Sequence, residues 1–430
     1  MKKLIMHTGE LPPKNGFDFS NFSFPEIWKG YLVKELFNIR GGKPIPRNMM
    51  GDEGIACVHY GDIHTSSDLS IKVFESYEKI PKIKNYKFSN SDLLHNGDIV
   101  FADASEDYEG IAKSIVINNS KNLEIIAGLH TVVARSKDSQ VDNEFKKYIF
   151  LNWLSRKQLM FFAQGISVYG ISKTNIENTI VVLPTLLEQQ KIAEILSTWD
   201  YAIELKDKLI DTQTQLQNAV IQRIKRGKLE INVNSSKWEK YRLKEIFGVR
   251  KKRFFISEHL PLYSFTIQEG VSPKTDRYNR EFLVVGKKQY KITKYNDLVY
   301  NPANLKYGAI SVNKNEKDVL ISPIYETLFI KDTKKYNIDY FKYFLTSSEM
   351  IKYYKSKVEG TLVERSAVKV DAFLLFSFSI PSFEEQNQIA KILDTLSENI
   401  QLLKNELAQL ELQKKGLMQQ LLTGKIRVQC

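Results

Sequence analysis

Five stretches of this chain contain residue types that do chemistry when spaced correctly. Asn301-Pro302-Ala303-Asn304 has part of the Asn/Asp-Pro-Pro-aromatic loop that holds a flipped adenine for methylation. The second proline and the aromatic are missing, and no glycine-rich loop follows a strand to hold a methyl donor. Gly165-Ile166-Ser167-Val168-Tyr169 opens like a nucleophile elbow but lacks its closing glycine, so Ser167 reads as a loop residue. Cys57, His59, Asp62 and His64 offer thiolate and imidazole, which suit zinc. Their spacing fits no standard structural site, and they read as a strand-and-loop cluster. Gly227-Lys228 and Gly424-Lys425 lack the upstream glycine of a phosphate loop and read as helix stops. No catalytic constellation is complete, and no metal site is expected.

What remains is contact chemistry. The 430 residues hold 62 Lys and Arg against 50 Asp and Glu, a net charge of +12 with a pI near 9.2. Two glycine-stopped segments, 186–227 and 384–425, together carry −1, so the other residues carry +13. A basic surface on the rest of the chain suits a polyanion. Lys-, Asn- and Ile-rich usage from an AT-rich genome is the bland source of the same excess. Phosphate contacts need Lys or Arg on exposed loops, and base reading needs Arg, Lys, Asn or Gln at a groove edge. The candidates are Lys43, Arg47, Tyr169 and Lys173 in the first half, and Lys251, Lys252, Arg253, Lys306 and Arg365 in the second.

Those residues must be held by elements, and the elements occur twice. Pro184 to Lys228 and Pro381 to Lys425 align without a gap at an offset of 197, matching Glu188-Gln189 to Glu385-Gln386 and Ile195-Leu196 to Ile392-Leu393. Each copy opens after a proline and runs to a glycine about forty residues on, the punctuation of one long helix. At 1.5 Å per residue such a helix is roughly 60 Å long. In the second copy Ile389, Leu393, Leu396, Ile400, Leu403, Leu407, Leu410, Leu417 and Leu421 follow a heptad broken only by Lys414. The first copy has Ile192, Leu196, Trp199, Ile203, Ile210, Val220 and Ile224, interrupted by Lys206, Gln213 and Gln217. These are coiled-coil seams, and the two helices are expected to bury them against each other, antiparallel about a pseudo-two-fold axis. The other arrangement open to the pattern is that each helix packs on its own globular neighbour.

A second repeat, at offset 210, aligns Trp28-Lys29-Gly30-Tyr31 through Arg40 with Trp238-Glu239-Lys240-Tyr241 through Arg250. Strand-like runs at Ile99 to Phe101, Thr131 to Ala134 and Ile180 to Leu183, with helical spacing from Phe145 to Gly165, make the first globular part α+β. Tyr295 to Tyr300, the helical segment Tyr336 to Lys355 and the closing strand before Pro381 repeat that order. The expected organisation is an irregular or loosely docked N-terminal arm at 1–27, a globular domain at 28–184, a helical region at 185–228, a second domain at 229–381 and a second helical region at 382–430.

Two cysteines, Cys57 and Cys430, fit a reducing intracellular setting, and the start of the chain has no signal-peptide core. No run approaches eighteen apolar residues, so a membrane span is not expected.

Taken together, the duplicated order resembles the specificity subunit of a type I restriction-modification system. The resemblance rests on the Pro184/Glu188/Gln189 and Pro381/Glu385/Gln386 openings, their Ile-Ala-x-Ile-Leu continuations and Gly-Lys ends. Gly41-Gly42-Lys43-Pro44, Asn296 to Asn301 and Ser322-Pro323-Ile324-Tyr325 add to it. It implies a noncatalytic, cytoplasmic DNA-binding subunit with no cofactor of its own. Each of two target-recognition domains would read one half of a split double-stranded target. The helices would set the gap and dock two modification (methyltransferase) subunits and the restriction (endonuclease and translocase) subunits. S-adenosylmethionine, ATP and Mg would be bound by those partners. A rod of roughly 60 Å bounds the separation of domain centres at about 18 base pairs. The competing readings are a coiled-coil scaffold or interaction protein whose basic charge is incidental, and a standalone DNA-binding regulator.

Overall fold

A computed structural model describes residues 2–3, 16–19, 21–66, 68–225, 238–273, 288–357 and 367–429. The chain divides into two units, Met1–Lys206 with Glu406–Cys430, and Asp207–Asn405. Each therefore holds one half of each long helix.

The first unit is built on a five-stranded sheet in the order Phe37–Gly41, Thr131–Ser136, Ile99–Ala102, Ser114–Asn118, Ser70–Lys72. Its central strands are continuous apolar runs because both faces are covered. Ile99, Phe101, Val132 and Ala134 enter one core with the helices Lys146–Ile149 and Trp153–Phe161, whereas Val100, Ala102, Ile115 and Val133 enter a second. The second unit repeats this in a four-stranded sheet, Phe247–Val249, Glu326–Ile330, Leu298–Tyr300, Ile310–Val312. Leu298 and Tyr300 face a core with the helices Ile338–Thr346 and Ser348–Lys357, and Val299 faces another with Val319 and Ile321.

A matched turn feeds the middle strand of each sheet. Gly97 and Asn296 take the left-handed conformation, at φ of 83° and 65°. The next residue, Asp98 or Asp297, is buried, and its carboxylate accepts from the His95 or Lys294 backbone N–H at 2.8 Å. Arg135 neutralises Asp98 at 2.7 Å, and Arg250 neutralises Asp297.

Each domain ends where it began. Ile180–Leu183 pairs antiparallel with Lys29–Leu32, and Ser377–Ile380 with Glu239–Arg242, so the chain leaves at Pro184 and Pro381 directly into a helix. Those helices, Leu186–Lys225 and Phe383–Leu422, have 40 residues each. Thr185 with Glu188, and Ser382 with Glu385, cap their first turns.

The seam residues divide between two tasks. Ile192 and Leu196 lie in the core of the first globular domain, and Leu393 in that of the second. For these three the expected role in helix pairing alone is corrected: the first turns of each helix complete the preceding domain's core. The apolar face there is wide enough to serve both neighbours, since Leu421 and Leu422 share the cluster that holds Ile192 and Leu196. Further along, Ile210 and Ile400 are buried, while Trp199, Ile203, Leu396, Leu403 and Leu407 are half-buried. Within the first unit Lys206 meets Glu406 at 2.7 Å, Lys414 bonds Asp200, and Asn152 donates to the Leu422 carbonyl. Within the second, Gln217 donates to Ser397 at 2.7 Å, and Val220, Ile221 and Leu396 pack against the same buried core.

The segment before Trp28 is less loose than its composition implies. Phe22 and Phe24 are buried, with Phe22 4.6 Å from the Trp153 ring, and Lys2–Lys3 pairs with Ser23–Phe24.

Candidate nucleic-acid interface

In the first unit the Gly41-Gly42 turn places Lys43. A Cβ on Gly42 would lie 2.1 Å from Thr131 Oγ1 and 2.2 Å from the Gly128 carbonyl, so only glycine fits between these backbones. The Gly42 and Lys43 amides donate to Thr131 and Ala127 at 2.8 Å and fix the direction of the loop. Lys43 and Lys173, 130 residues apart in sequence, line the same cleft of about 310 Å³, beside Asp103 and His130. Each lysine already has an acidic partner. Lys43 pairs with Asp92 at 2.7 Å and, with the Ser89 amide, holds the Asp92 carboxyl down at about 2. Lys173 opens a short helix capped by Ser172 and lies 3.5 Å from Glu177. Asp103 meets His130 at 3.1 Å across the cleft.

Arg47 lies in the turn Arg47–Met49, with its side chain 56% exposed and 2.7 Å from Asp62. Tyr169 is half-buried: its backbone pairs with Ser105, and its ring meets Tyr108 edge-on at 5.3 Å.

In the second unit Lys251, Lys252 and Arg253 are exposed, and none forms an ion pair among the described residues. Arg253–Phe254 pairs with Tyr290–Thr293, and Phe254, Phe255 and Ile256 extend the basic run as an exposed apolar one. Cations followed by accessible rings suit a nucleic acid, which offers phosphates and stacked bases. Lys306 is a correction. It is 6% exposed in the turn Leu305–Tyr307, its amine 5.2 Å from the Tyr307 ring, so the aliphatic stem is core and the residue is withdrawn from the surface set. Arg365 lies outside the described residues.

The Cys57 cluster has structural work. The Cys57 thiol is buried and pushed up to about 12, chiefly by desolvation, which keeps it protonated and a poor metal ligand. His59 caps the helix Tyr60–Thr65 by accepting from the Gly61 amide, and His64 bonds the Ala104 carbonyl at 2.8 Å. No group of His, Cys, Asp and Glu among the described residues is arranged to hold a metal ion.

Away from this interface, Glu188-Gln189 and Glu385-Gln386 are buried clasps. The Gln189 amide accepts from the Asp142 N–H at 2.9 Å and donates to Gln140 and Pro184, and Gln386 does the same with Asn337, Lys335 and Pro381. Glu188 also accepts from Trp28 Nε1 at 3.1 Å and pairs with Arg427 at 2.5 Å. The heptad reading missed a set of exposed leucines on the long helices, among them Leu205, Leu209, Leu216, Leu402 and Leu412. They lie off the seam, and the signal that could have found them is that Leu205, Leu209, Leu216 and Leu402 each directly precede a seam position.

A sequence model described as the type I restriction modification DNA specificity domain matches residues 25–213 and again 235–412. The chain belongs to that family. As a family member it is a DNA-recognition subunit, the noncatalytic component of a type I restriction-modification system. It is similar to a Methanocaldococcus jannaschii protein named as the type I restriction enzyme MjaX specificity subunit, 26% identical over 94% of this chain and 95% of the relative. The MjaVIII specificity subunit of the same organism is 26% identical over 62% of this chain and 66% of its own. In fold the chain resembles the S subunit of the type I system from M. genitalium, with a TM-score of 0.54 and 15% identity over 96% of this chain and 99% of the other. It also resembles a chain from a structural study of type I complex assembly and conformational transition, with a TM-score of 0.54 and 14% identity over 94% of this chain and all of the other. No helix among the described residues is long and apolar enough to cross a membrane.

Proposed function

We propose that the two recognition domains of this specificity subunit, 28–184 and 229–381, each read one half of a split duplex target. The helical regions 185–228 and 382–430 then pair antiparallel as a coiled coil and set the unread gap. The observation that carries this reading is the matched frame. Two sheets with the same buried Asp–Arg turn each end in a capped helix, yet the exposed loops carry different residues. The polar contacts Lys206–Glu406, Lys414–Asp200 and Gln217–Ser397 connect residues in descending order along one helix and ascending order along the other, which supports the antiparallel direction.

DNA contacts are assigned to Lys43, Arg47, Tyr169 and Lys173 in the first domain, and to Lys251, Lys252 and Arg253 in the second. The off-seam leucines offer apolar surface to partner helices, here two modification subunits, with restriction subunits joining the complex. S-adenosylmethionine, ATP and Mg are bound by those partners, and the complex acts in the cytoplasm. Co-expression with the neighbouring modification subunit, followed by genome-wide mapping of methylated adenines, tests the proposal. The expected result is one motif of two defined halves at a fixed gap; a stable complex that methylates no such motif overturns it.

A further inference from the structure

Each unit places polar pairs within an apolar helix contact, and the pairs of the two units differ in chemistry. In the first unit Lys414 of the C-terminal helix bonds Asp200 of the central helix, and Asp200 also accepts the Tyr148 hydroxyl at 2.5 Å. The Lys414 and Asp200 side chains are 17% and 31% exposed, and Tyr148 is fully buried. A shift of 197 residues carries Asp200 to Ser397 and Gln217 to Lys414. In the second unit those two positions are neutral: Gln217 donates to Ser397 at 2.7 Å, and the Tyr343 hydroxyl, 3.0 Å from the same Ser397 oxygen, donates to Asp394 at 2.6 Å, so the carboxylate lies one turn earlier on the C-terminal helix and outside the cross-helix pair. The next pair follows the same rule. Lys206 meets Glu406 in the first unit, and the positions equivalent to them are Leu403 and Leu209.

We propose that this charged layer and its neutral counterpart specify which helices pair: central with C-terminal, and neither with its own copy from a second chain. The inference rests on the antiparallel pairing proposed above. If two central helices met antiparallel, Asp200 of each copy would face Gln217 of the other, and Lys206 would face Leu209. Two C-terminal helices would set Lys414 against Ser397, and Glu406 against Leu403. Self-pairing of the central helices strands the partly buried Asp200 and Lys206 without counter-ions, and self-pairing of the C-terminal helices leaves Glu406 opposite a leucine and Lys414 one turn from an Asp394 that Tyr343 already holds, whereas the heterotypic pair matches Asp200, Lys206, Glu406 and Lys414. The shared apolar positions cannot make this distinction, because the repeat gives both helices the same residues there, as at Ile192 and Ile389, Leu196 and Leu393, and Ile203 and Ile400.

The test refolds isotopically labelled and unlabelled full-length chains together from denaturant, then applies lysine cross-linking and mass spectrometry. Links from the central to the C-terminal helix report pairing itself; links between central helices of differently labelled copies report self-pairing. Wild type and the charge-swapped D200K/K414D are expected to give few self-pairing links. The neutralised D200S/K414Q, which copies the second unit's layer into the first, is expected to give at least about tenfold more. K414D alone is expected to raise self-pairing, and adding D200K to reverse it, a comparison that stands if the neutral variant does not refold. Self-pairing equal to wild type in both D200S/K414Q and K414D overturns the proposal, as does a charge-swapped variant that self-pairs as freely as the neutral one. Absence of central-to-C-terminal links in wild type refutes the antiparallel pairing instead.

Discussion

The two recognition domains share a frame and differ in what they present. Asp98 with Arg135 and Asp297 with Arg250 secure corresponding turns, but the arginines come from different strands: Arg135 from Thr131–Ser136, and Arg250 from the end of Phe247–Val249. In the first domain the candidate DNA-contacting cations are held in ion pairs, Lys43 with Asp92, Arg47 with Asp62 and Lys173 with Glu177. In the second, Lys251, Lys252 and Arg253 have none among the described residues and adjoin exposed Phe254 and Phe255. A buried ion pair that closes a turn must be kept, because losing either partner leaves an uncompensated charge in the core. Surface pairs contribute little to stability, so the exposed loops are free to diverge.

The largest contrast should come from the repeated glutamates. Glu188 holds Trp28 and Arg427 as well as its own helix cap, whereas Glu385 is bonded to Ser382. Glu188→Ala should cost about 3 kcal/mol in denaturant unfolding, as expected for stranding a partly buried partner. Glu385→Ala should cost about 1 kcal/mol, the value of a cap. Equal costs would mean that the Trp28 and Arg427 contacts add nothing.

The two lysines of the second domain offer the next contrast. Lys252→Ala should lower the salt slope of DNA binding by about one unit and leave stability within about 0.5 kcal/mol. Lys306→Ala should lower thermal stability, through lost packing of its stem, and leave the slope unchanged. A reversed pattern would restore Lys306 to the contact set and remove Lys252.

The smallest effect distinguishes a paired contact from an open one. Because Lys43 holds the folded Asp92 carboxyl near 2, below its unfolded value near 3.9, the pair stabilises the fold above that unfolded value. Its contribution is lost as pH falls through about 4 toward 2. Lys43→Met should therefore cost about 1 kcal/mol at neutral pH, limited by solvent around the lysine, and progressively less as pH falls from about 4 through 2. Lys252→Met should show no such acid dependence. A cost of Lys43→Met that is independent of pH would break the assignment.

Much of the architecture was legible because it is written in period and punctuation. The proline starts, the forty-residue apolar stripe and the offset of 197 located both long helices, and Ile180 to Leu183 was read as the strand that closes the first domain. The interruptions Lys206, Gln217 and Lys414 were legible as breaks in a seam. Their partners Glu406, Ser397 and Asp200 were not, since those residues lie 180 to 214 positions away. The site was less legible. A lysine in a basic stretch and a lysine folded onto a core look alike in sequence, and Lys306 was misjudged for that reason.

Sequence by itself determined the duplication, the helices and the closing strands, because each follows from local residue types and fixed spacing. Only the tertiary structure decided that Ile192, Leu196 and Leu393 complete domain cores, that Lys43 and Lys173 share a cleft, and that the cross-helix pair Lys414–Asp200 is charged while Gln217–Ser397 is neutral. Burial and pairing belong to whatever residue is opposite in space, and distance along the chain does not report it.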